Sequence, residues 1–321
     1  MKKLCQIPED YLQTILVKLL KNAGYNKVQY LKDKFIMAEG TLPICLLAHL
    51  DTVFMTLPAE FLYDYKQKIL WSPYGSGFDD RAGVYGILQC IESDLKPHII
   101  FTCGEEKGGI GAKEVTKFFP FCPFVDCRGL IELDRANHKD SVFYDCDNKD
   151  YENWINSFGF KTAWGSFSDI SVIAPVWKIA AVNLSIGYMD EHSVAERLNC
   201  DWCDETIEKV KKILKESPNM LAYEYVPIKY NTKYWTKAYG YEDIYGSPQE
   251  EDDEDFYSYE DVDLNRMNRC LLCDRTLNEE NRHIIPDEKY PYCVCEDCFN
   301  SYYDANSVYQ GGWTDRRRET D

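Results

Sequence analysis

Ile44-Cys45-Leu46-Leu47-Ala48 is an unbroken apolar run, and the residues that follow it are His49-Leu50-Asp51-Thr52. A run this short with no polar alternation predicts a strand buried on both faces, the pattern of a sheet covered by helices on each side. Such a strand delivers its first polar residues at the carboxyl edge of the sheet, where open α/β sheets keep their sites. A His with a carboxylate two positions later can be a metal ligand and the group that orients its ring. Alone, the same pair more often reads as a capped surface residue, so its meaning depends on what the rest of the chain brings to that edge.

The chain around it alternates. Pro8-Glu9-Asp10 opens a helix, with proline in the first turn and two acids at the positive end of the dipole. Leu12, Ile15, Leu16, Leu19 and Leu20 then share a face, and Asn22-Ala23-Gly24 ends it. Residues 27–38 and 60–71 read as short strands with turns. Val84, Ile87, Leu88 and Ile91 give helical spacing between Asp80 and Ser93, and Lys96-Pro97 closes that unit before the strand His98–Cys103. A short helix from Gly109 to about Phe118, strands at Gly129–Leu133 and Ala180–Ile186, and a last helix lined by Cys203, Ile207, Val210 and Leu214 complete the pattern. Glu205/Lys209 and Glu208/Lys212 are expected to pair along that helix. The prediction is a three-layer αβα sandwich with a mostly parallel mixed sheet over residues 1–217.

Composition narrows the function classes. The formal net charge of −18 argues against nonspecific grip on nucleic acid or an anionic membrane. No stretch approaches the roughly 20 apolar residues of a membrane span. Pro8-Glu9-Asp10 also interrupts the start before a signal-peptide core can form. Most of the 14 cysteines sit singly in apolar segments, which suits reduced thiols in the cytoplasm better than a disulfide framework.

Four polar clusters follow predicted strands or turns. They are Gly75-Ser76-Gly77-Phe78-Asp79-Asp80-Arg81-Ala82-Gly83, Gly104-Glu105-Glu106-Lys107-Gly108-Gly109-Ile110-Gly111-Ala112, Asp134, and Gly187-Tyr188-Met189-Asp190-Glu191-His192-Ser193. Carboxylates converging on one edge repel one another, so the arrangement calls for a cation. Within the first cluster Arg81 is a candidate partner for Asp80. Glu196 is expected to orient His192 or to cap the following segment. His98 and His138 are expected to be structural.

In this order, with His49-x-Asp51 at its head, the clusters resemble the co-catalytic dinuclear zinc exopeptidases and deacylases. That group includes aminopeptidases, tripeptidases and glutamate-releasing carboxypeptidases. The resemblance covers residues 40–200 and implies two catalytic Zn²⁺, with Mn²⁺ and Co²⁺ also compatible with such ligands. It implies one metal on His49 and Asp134, a second on Glu106 and His192, and Asp79 as the bridge. Glu105 becomes the general base and Asp51 the partner of His49. Metals about 3.5 Å apart polarise a carbonyl and bring a shared water to a pKa of about 7. Ser168, Asp169 and Tyr188 are implied beside the substrate, a peptide or N-acyl amino acid. The interval from Asp134 to His192 is too short for the extra domain of many two-domain members, so a compact catalytic core is expected. A catalytically inactive peptidase fold serving as a binding or regulatory protein is the alternative.

Beyond Pro218 the composition changes. Residues 218–263 are rich in Tyr and carry the acidic run Glu250–Asp255, which reads as a solvated linker. In 264–321, Cys270-x-x-Cys273 and Cys295-x-x-Cys298 have a spacing close to that of zinc ribbons. One structural Zn²⁺ on these four thiolates would stabilise a core too small to stand alone, with Cys293 a possible substitute for Cys295. His283-Ile284-Ile285-Pro286 bears a faint resemblance to a strand of HNH nucleases. No second His follows it, so a structural or protein-binding ribbon fits better.

Overall fold

The structure, a computed structural model, describes residues 1–228 and the strand residues 282–285 and 292–295. The chain divides into two compact units, 1–232 and 233–321.

The first unit starts with a short helix α1 (Lys2–Cys5) and then α2 (Glu9–Asn22). Strands β1 (Val28–Leu31) and β2 (Phe35–Ala38) form a hairpin before β3 (Leu42–His49), the strand built on the apolar run. Short β4 (Leu62–Asp64) and β5 (Ile69–Trp71) precede α3 (Phe78–Glu92) and β6 (Pro97–Thr102). Then come α4 (Ile110–Phe118), β7 (Gly129–Arg135), β8 (Asp140–Val142), α5 (Lys149–Asn156) and β9 (Lys161–Thr162). Helix α6 (Asp169–Trp177), β10 (Ala181–Ser185), β11 (Tyr188–Met189), β12 (Arg197–Asn199) and α7 (Cys200–Glu216) complete the set.

Eight strands form the main sheet in the order β1-β2-β6-β3-β7-β10-β8-β9. Its centre, β6-β3-β7-β10, is parallel, and antiparallel pairings join β2 and β8 to it. Because successive side chains on a strand point to opposite faces, the apolar run divides by parity. Ile44, Leu46 and Ala48 pack with Leu12, Leu16 and Leu20 of α2, Val84 and Ile87 of α3, and Ile207 and Val210 of α7. Cys45 and Leu47 pack on the other face with Ala112 and Val115 of α4 and Ile170 and Ile173 of α6. The three-layer sandwich follows directly from strands that are apolar on both sides.

Three helices have no counterpart in the sequence reading: the four-residue α1, α5 and α6. In α5 the Asn148 side chain caps the Tyr151 amide, and Tyr151 and Ile155 are buried. Helix α6 is apolar almost throughout and contains Pro175, so no 3.6-residue stripe marks it. On α7, Glu205 pairs with Lys209 at 2.8 Å as expected, but Glu208 pairs with Lys211 at 2.9 Å instead of Lys212. Either partner lies on the same helix face, and the i,i+3 position wins. The chain stays on the domain after α7: the Tyr223 amide bonds Arg128, the Tyr225 amide bonds Lys178, and the Ile228 amide bonds Asp145.

A second sheet, β11-β12-β5-β4, is antiparallel throughout. Among the described residues no helix is long and apolar enough to cross a membrane.

In the second unit, β13 (Arg282–Ile285) pairs antiparallel with β14 (Tyr292–Cys295), setting Arg282 opposite Cys295. Cys270, Cys273 and Cys298 lie outside the described residues, and Cys295 is described only as the last residue of β14.

Candidate metal centre

Three of the four strands of the parallel centre, β3, β6 and β7, contribute at their carboxyl ends, and a loop after the second sheet's β11 adds a fourth group. His49 is the last residue of β3, Glu105 and Glu106 follow β6, Asp134 lies near the end of β7, and His192 lies in the loop after β11. Asp79 enters from the start of α3, where Asp79 and Asp80 depart from helical geometry. Helix α3 can lie this close to the sheet because residue 83 is glycine: a Cβ there would sit 2.2 Å from the Leu133 carbonyl oxygen.

The five dispersed segments meet. His49 Nε2 lies 3.0 Å from Asp79 Oδ1 and 3.4 Å from Asp134 Oδ1. His192 Nε2 lies 3.1 Å from Asp79 Oδ2 and 3.0 Å from Glu106 Oε2. The two oxygens of Asp79 therefore face different imidazoles. Ligand atoms of His49, Asp79 and Asp134 fall within 4.8 Å of one another, as do those of Asp79, Glu106 and His192, and those of His49, Glu105 and Glu106.

Around this cluster the backbone is held by carboxylates. Asp51 Oδ1 lies 3.4 Å from His49 Nδ1 and accepts the amides of Gly104 and Glu105, while Oδ2 accepts that of Glu106. One side chain thus ties the His49 ring to the loop carrying both glutamates. Asp80 accepts the His49 amide at 3.3 Å and the Gly83 amide at 2.9 Å. Arg81 does not pair with it; its guanidinium turns to the carbonyls of Leu4 and Ile7, fastening the N-terminal segment. Glu196 is fully buried and accepts the amides of Ser76, Gly77 and Asp79, so it clamps the turn that delivers Asp79 and makes no bond to His192. Gly77 takes a φ of 66°, a left-handed conformation that glycine adopts without strain.

Ser168 and Asp169 lie in the interior. Ser168 donates to Glu132 and lies 3.4 Å from Asp134 Oδ2, while Asp169 accepts from Thr102. The Tyr188 hydroxyl donates to Asp134 Oδ1 at 3.1 Å. Sequence reasoning missed two members of this layer. Asn183 brackets the Asp134 backbone, accepting its amide at 2.9 Å and donating to its carbonyl at 3.0 Å. Glu132 is fully buried beneath them. A glutamate inside the apolar strand Leu130-Ile131-Glu132-Leu133 was the available signal, because an acid is seldom buried without a partner. The structural reading of the other two histidines agrees with their surroundings: His98 stacks on Phe124 at 4.5 Å, and His138 on Trp202 at 4.9 Å.

The electrostatics of the bare chain are unbalanced. Burial pushes Glu105 up to about 10, helped by the charges of Asp134, Asp169 and Glu106 and opposed by His49. Asp134 is raised to about 7, again chiefly by burial. Burial also acts to raise Asp79, but hydrogen bonds from His192 and His49 outweigh it and hold the carboxyl below the ordinary range. Hydrogen bonds to Asp79 and Glu106 lift His192 to about 11. For His49, burial alone would lower the pKa, yet Asp134, Asp51 and Asp79 raise it well above normal. Packed acids that draw protons onto two imidazoles form a pocket suited to positive charge.

The residues fit a pair of divalent cations. Nitrogen and carboxylate oxygen are the donor types that Zn²⁺ accepts. Two trios share Asp79, and the buried Oε1 of Glu106 has no hydrogen-bond partner. Asp51→Asn keeps the shape and removes the charge that orients His49. It is expected to weaken metal affinity by about 10–100-fold, measured by competition with a chromophoric chelator.

No protein-family model matches the sequence, and no curated protein matches it. Solved structures do match the fold. Aminopeptidase PepT from Bacillus cereus aligns with a TM-score of 0.56 at 15% identity, covering 68% of this chain and 96% of its own. A tripeptidase from Staphylococcus aureus aligns with a TM-score of 0.57 at 15% identity, covering 68% of this chain and 97% of its own. A TET aminopeptidase from a marine-sediment thaumarchaeote gives 0.53 at 13% identity, covering 67% and 95%. The first unit of the chain has the fold of these aminopeptidases and of this tripeptidase.

Proposed function

We propose that the chain is a zinc-dependent exopeptidase of aminopeptidase type, hydrolysing peptide or related N-acyl amide bonds. The observation that carries this reading is the position of Asp79, whose two oxygens each face the imidazole of a different ligand trio. His49 and Asp134 would hold one cation, Glu106 and His192 the other, with Asp79 shared between them. Zn²⁺ is the proposed metal, and Mn²⁺ or Co²⁺ would accept the same donors. When bound, the cations supply Lewis acidity and acidify water, and their charge favours the carboxylate form of Glu105.

The chain's own groups do the rest. Glu105 sits on the loop tied down by Asp51, next to a ligand yet outside the two trios that share Asp79. In the carboxylate form it takes a proton from the attacking water and returns it to the departing nitrogen. Asp51 keeps the His49 ring and the Glu105 backbone in fixed relation, so the base and the ligand move together. Tyr188, Asn183 and Ser168 hold Asp134 from three sides.

The wider reading assigns 1–217 to the catalytic domain, 218–263 to a linker and 264–321 to a zinc-ribbon-like module on Cys270, Cys273, Cys295 and Cys298. That module would serve as a protein-docking element, and the compartment is cytoplasmic, as reduced single cysteines suit.

A panel of aminoacyl, dipeptide and N-acetyl substrates tests the function. Free-amine substrates are expected to be cleaved, with activity lost to a chelator and restored by Zn²⁺. A metal-loaded chain that cleaves none of them would leave the inactive, binding reading in its place.

A further inference from the structure

The loop between β9 and α6, Ala163-Trp164-Gly165-Ser166-Phe167-Ser168, carries no charged side chain. It presents two large aromatic ones to solvent: Trp164 is 71% exposed and Phe167 41%. Large apolar groups left open beside a polar centre mark a surface where an apolar group of a ligand is received.

The loop is held in place from end to end. The Ala163 amide bonds the Ser141 carbonyl at 3.0 Å. At the other end Ser168 donates to Glu132 and lies 3.4 Å from Asp134 Oδ2. Between them the Tyr144 hydroxyl donates to the Phe167 carbonyl at 3.1 Å and accepts from Asn183 Nδ2 at 3.2 Å. Asn183 is the side chain that brackets the Asp134 backbone. A run of hydrogen bonds through Tyr144 and Asn183 therefore fixes the Phe167 backbone relative to Asp134.

The ring reaches the opposite rim. A Cβ on Gly109 would stand 2.8 Å from Phe167 Cζ, so the ring rests on the Gly109 backbone and only glycine leaves it that room. Gly109 closes the turn that carries Glu105 and Glu106, its amide bonding the Glu105 carbonyl at 3.0 Å. Phe167 thus touches the supports of both the general base and the Asp134 side of the centre.

We propose that Phe167 forms the wall of an apolar subsite for the substrate's first side chain, so that the chain prefers peptides beginning with a large apolar residue such as Leu or Phe. This rests on the exopeptidase reading above. In an aminopeptidase the attacked carbonyl belongs to the first residue, so that residue's side chain must leave the centre within its own short reach of Glu105 and Asp134. Phe167 is the exposed apolar group braced against the supports of both. A charged first side chain would find no counter-charge from Ala163 to Ser168 and would lose hydration against the ring.

The full-length chain loaded with Zn²⁺ is assayed on dipeptides X-Ala, with X as Phe, Leu, Ala, Glu and Lys. Phe-Ala and Leu-Ala are expected to exceed Ala-Ala in kcat/KM by about 10–100-fold, the value of burying such a side chain. Glu-Ala and Lys-Ala should fall at or below Ala-Ala. Phe167→Ala should bring Phe-Ala and Leu-Ala to within about threefold of Ala-Ala, with Ala-Ala itself nearly unchanged. Phe167→Leu keeps an apolar wall and should restore most of the preference. Phe121→Ala, which removes an exposed ring on the loop after α4, should alter none of these ratios. A residue that merely supports the loop would lower all the dipeptides alike, and that result would overturn the assignment. So would a preference for Glu or Lys, or a Leu and Phe preference that survives Phe167→Ala. A metal-loaded chain that cleaves no dipeptide would overturn it together with the exopeptidase reading, whereas cleavage without selectivity would overturn the role of Phe167 alone.

Discussion

Glu105→Gln is expected to lower kcat by about 10²–10⁴-fold while leaving both cations bound. The amide has the shape of the carboxylate but cannot accept the proton of the attacking water. The Asp51 bonds to the Gly104, Glu105 and Glu106 amides do not depend on the Glu105 side chain, so the loop stays in place. Metal analysis and steady-state kinetics on the same preparation separate chemistry from binding. A metal-loaded Glu105→Gln protein that retains full activity would remove Glu105 from the mechanism.

Asp79→Ala should have the opposite signature: the cations leave and activity goes with them. Asp79 is the residue common to the trios containing His49 with Asp134 and Glu106 with His192. Removing it takes one donor from each, so the loss of affinity should exceed the 10–100-fold expected for an orienting partner such as Asp51. It also deprives both imidazoles of a hydrogen-bond partner. Ligand linkage makes the effect visible in stability. A cation present at 1,000 times its dissociation constant contributes about 4 kcal/mol to the wild type, a gain the variant should forgo. The expected result is a thermal midpoint that rises with added Zn²⁺ in the wild type and stays flat in Asp79→Ala. An equal rise in both would mean that Asp79 holds no metal.

Much of this architecture was legible because burial on both faces leaves a plain trace. Strands β3, β6, β7 and β10 are near-continuous apolar runs, and the polar residues following them mark one sheet edge. What could not be read depends on partners that only folding brings near. Glu196, expected to orient His192 or to cap the following segment, does neither and clamps the Ser76–Asp79 turn, a contact spanning more than a hundred positions of sequence. Arg81, adjacent to Asp80 in sequence, turns to the Leu4 and Ile7 carbonyls because α1 packs against α3. Asn183 looks like an ordinary strand residue until β10 lies beside β7 and its amide matches the Asp134 backbone. Helix α6 escaped because a helix buried on most sides has no polar stripe to give it a period.

Anomalous scattering at the zinc edge, from crystals of the full chain grown with Zn²⁺, tests the central claim most directly. Two strong peaks should flank the Asp79 carboxylate, one bounded by His49 and Asp134 and the other by Glu106 and His192. A fully occupied crystal with no density at Asp79, or with zinc bound only elsewhere, would contradict the account.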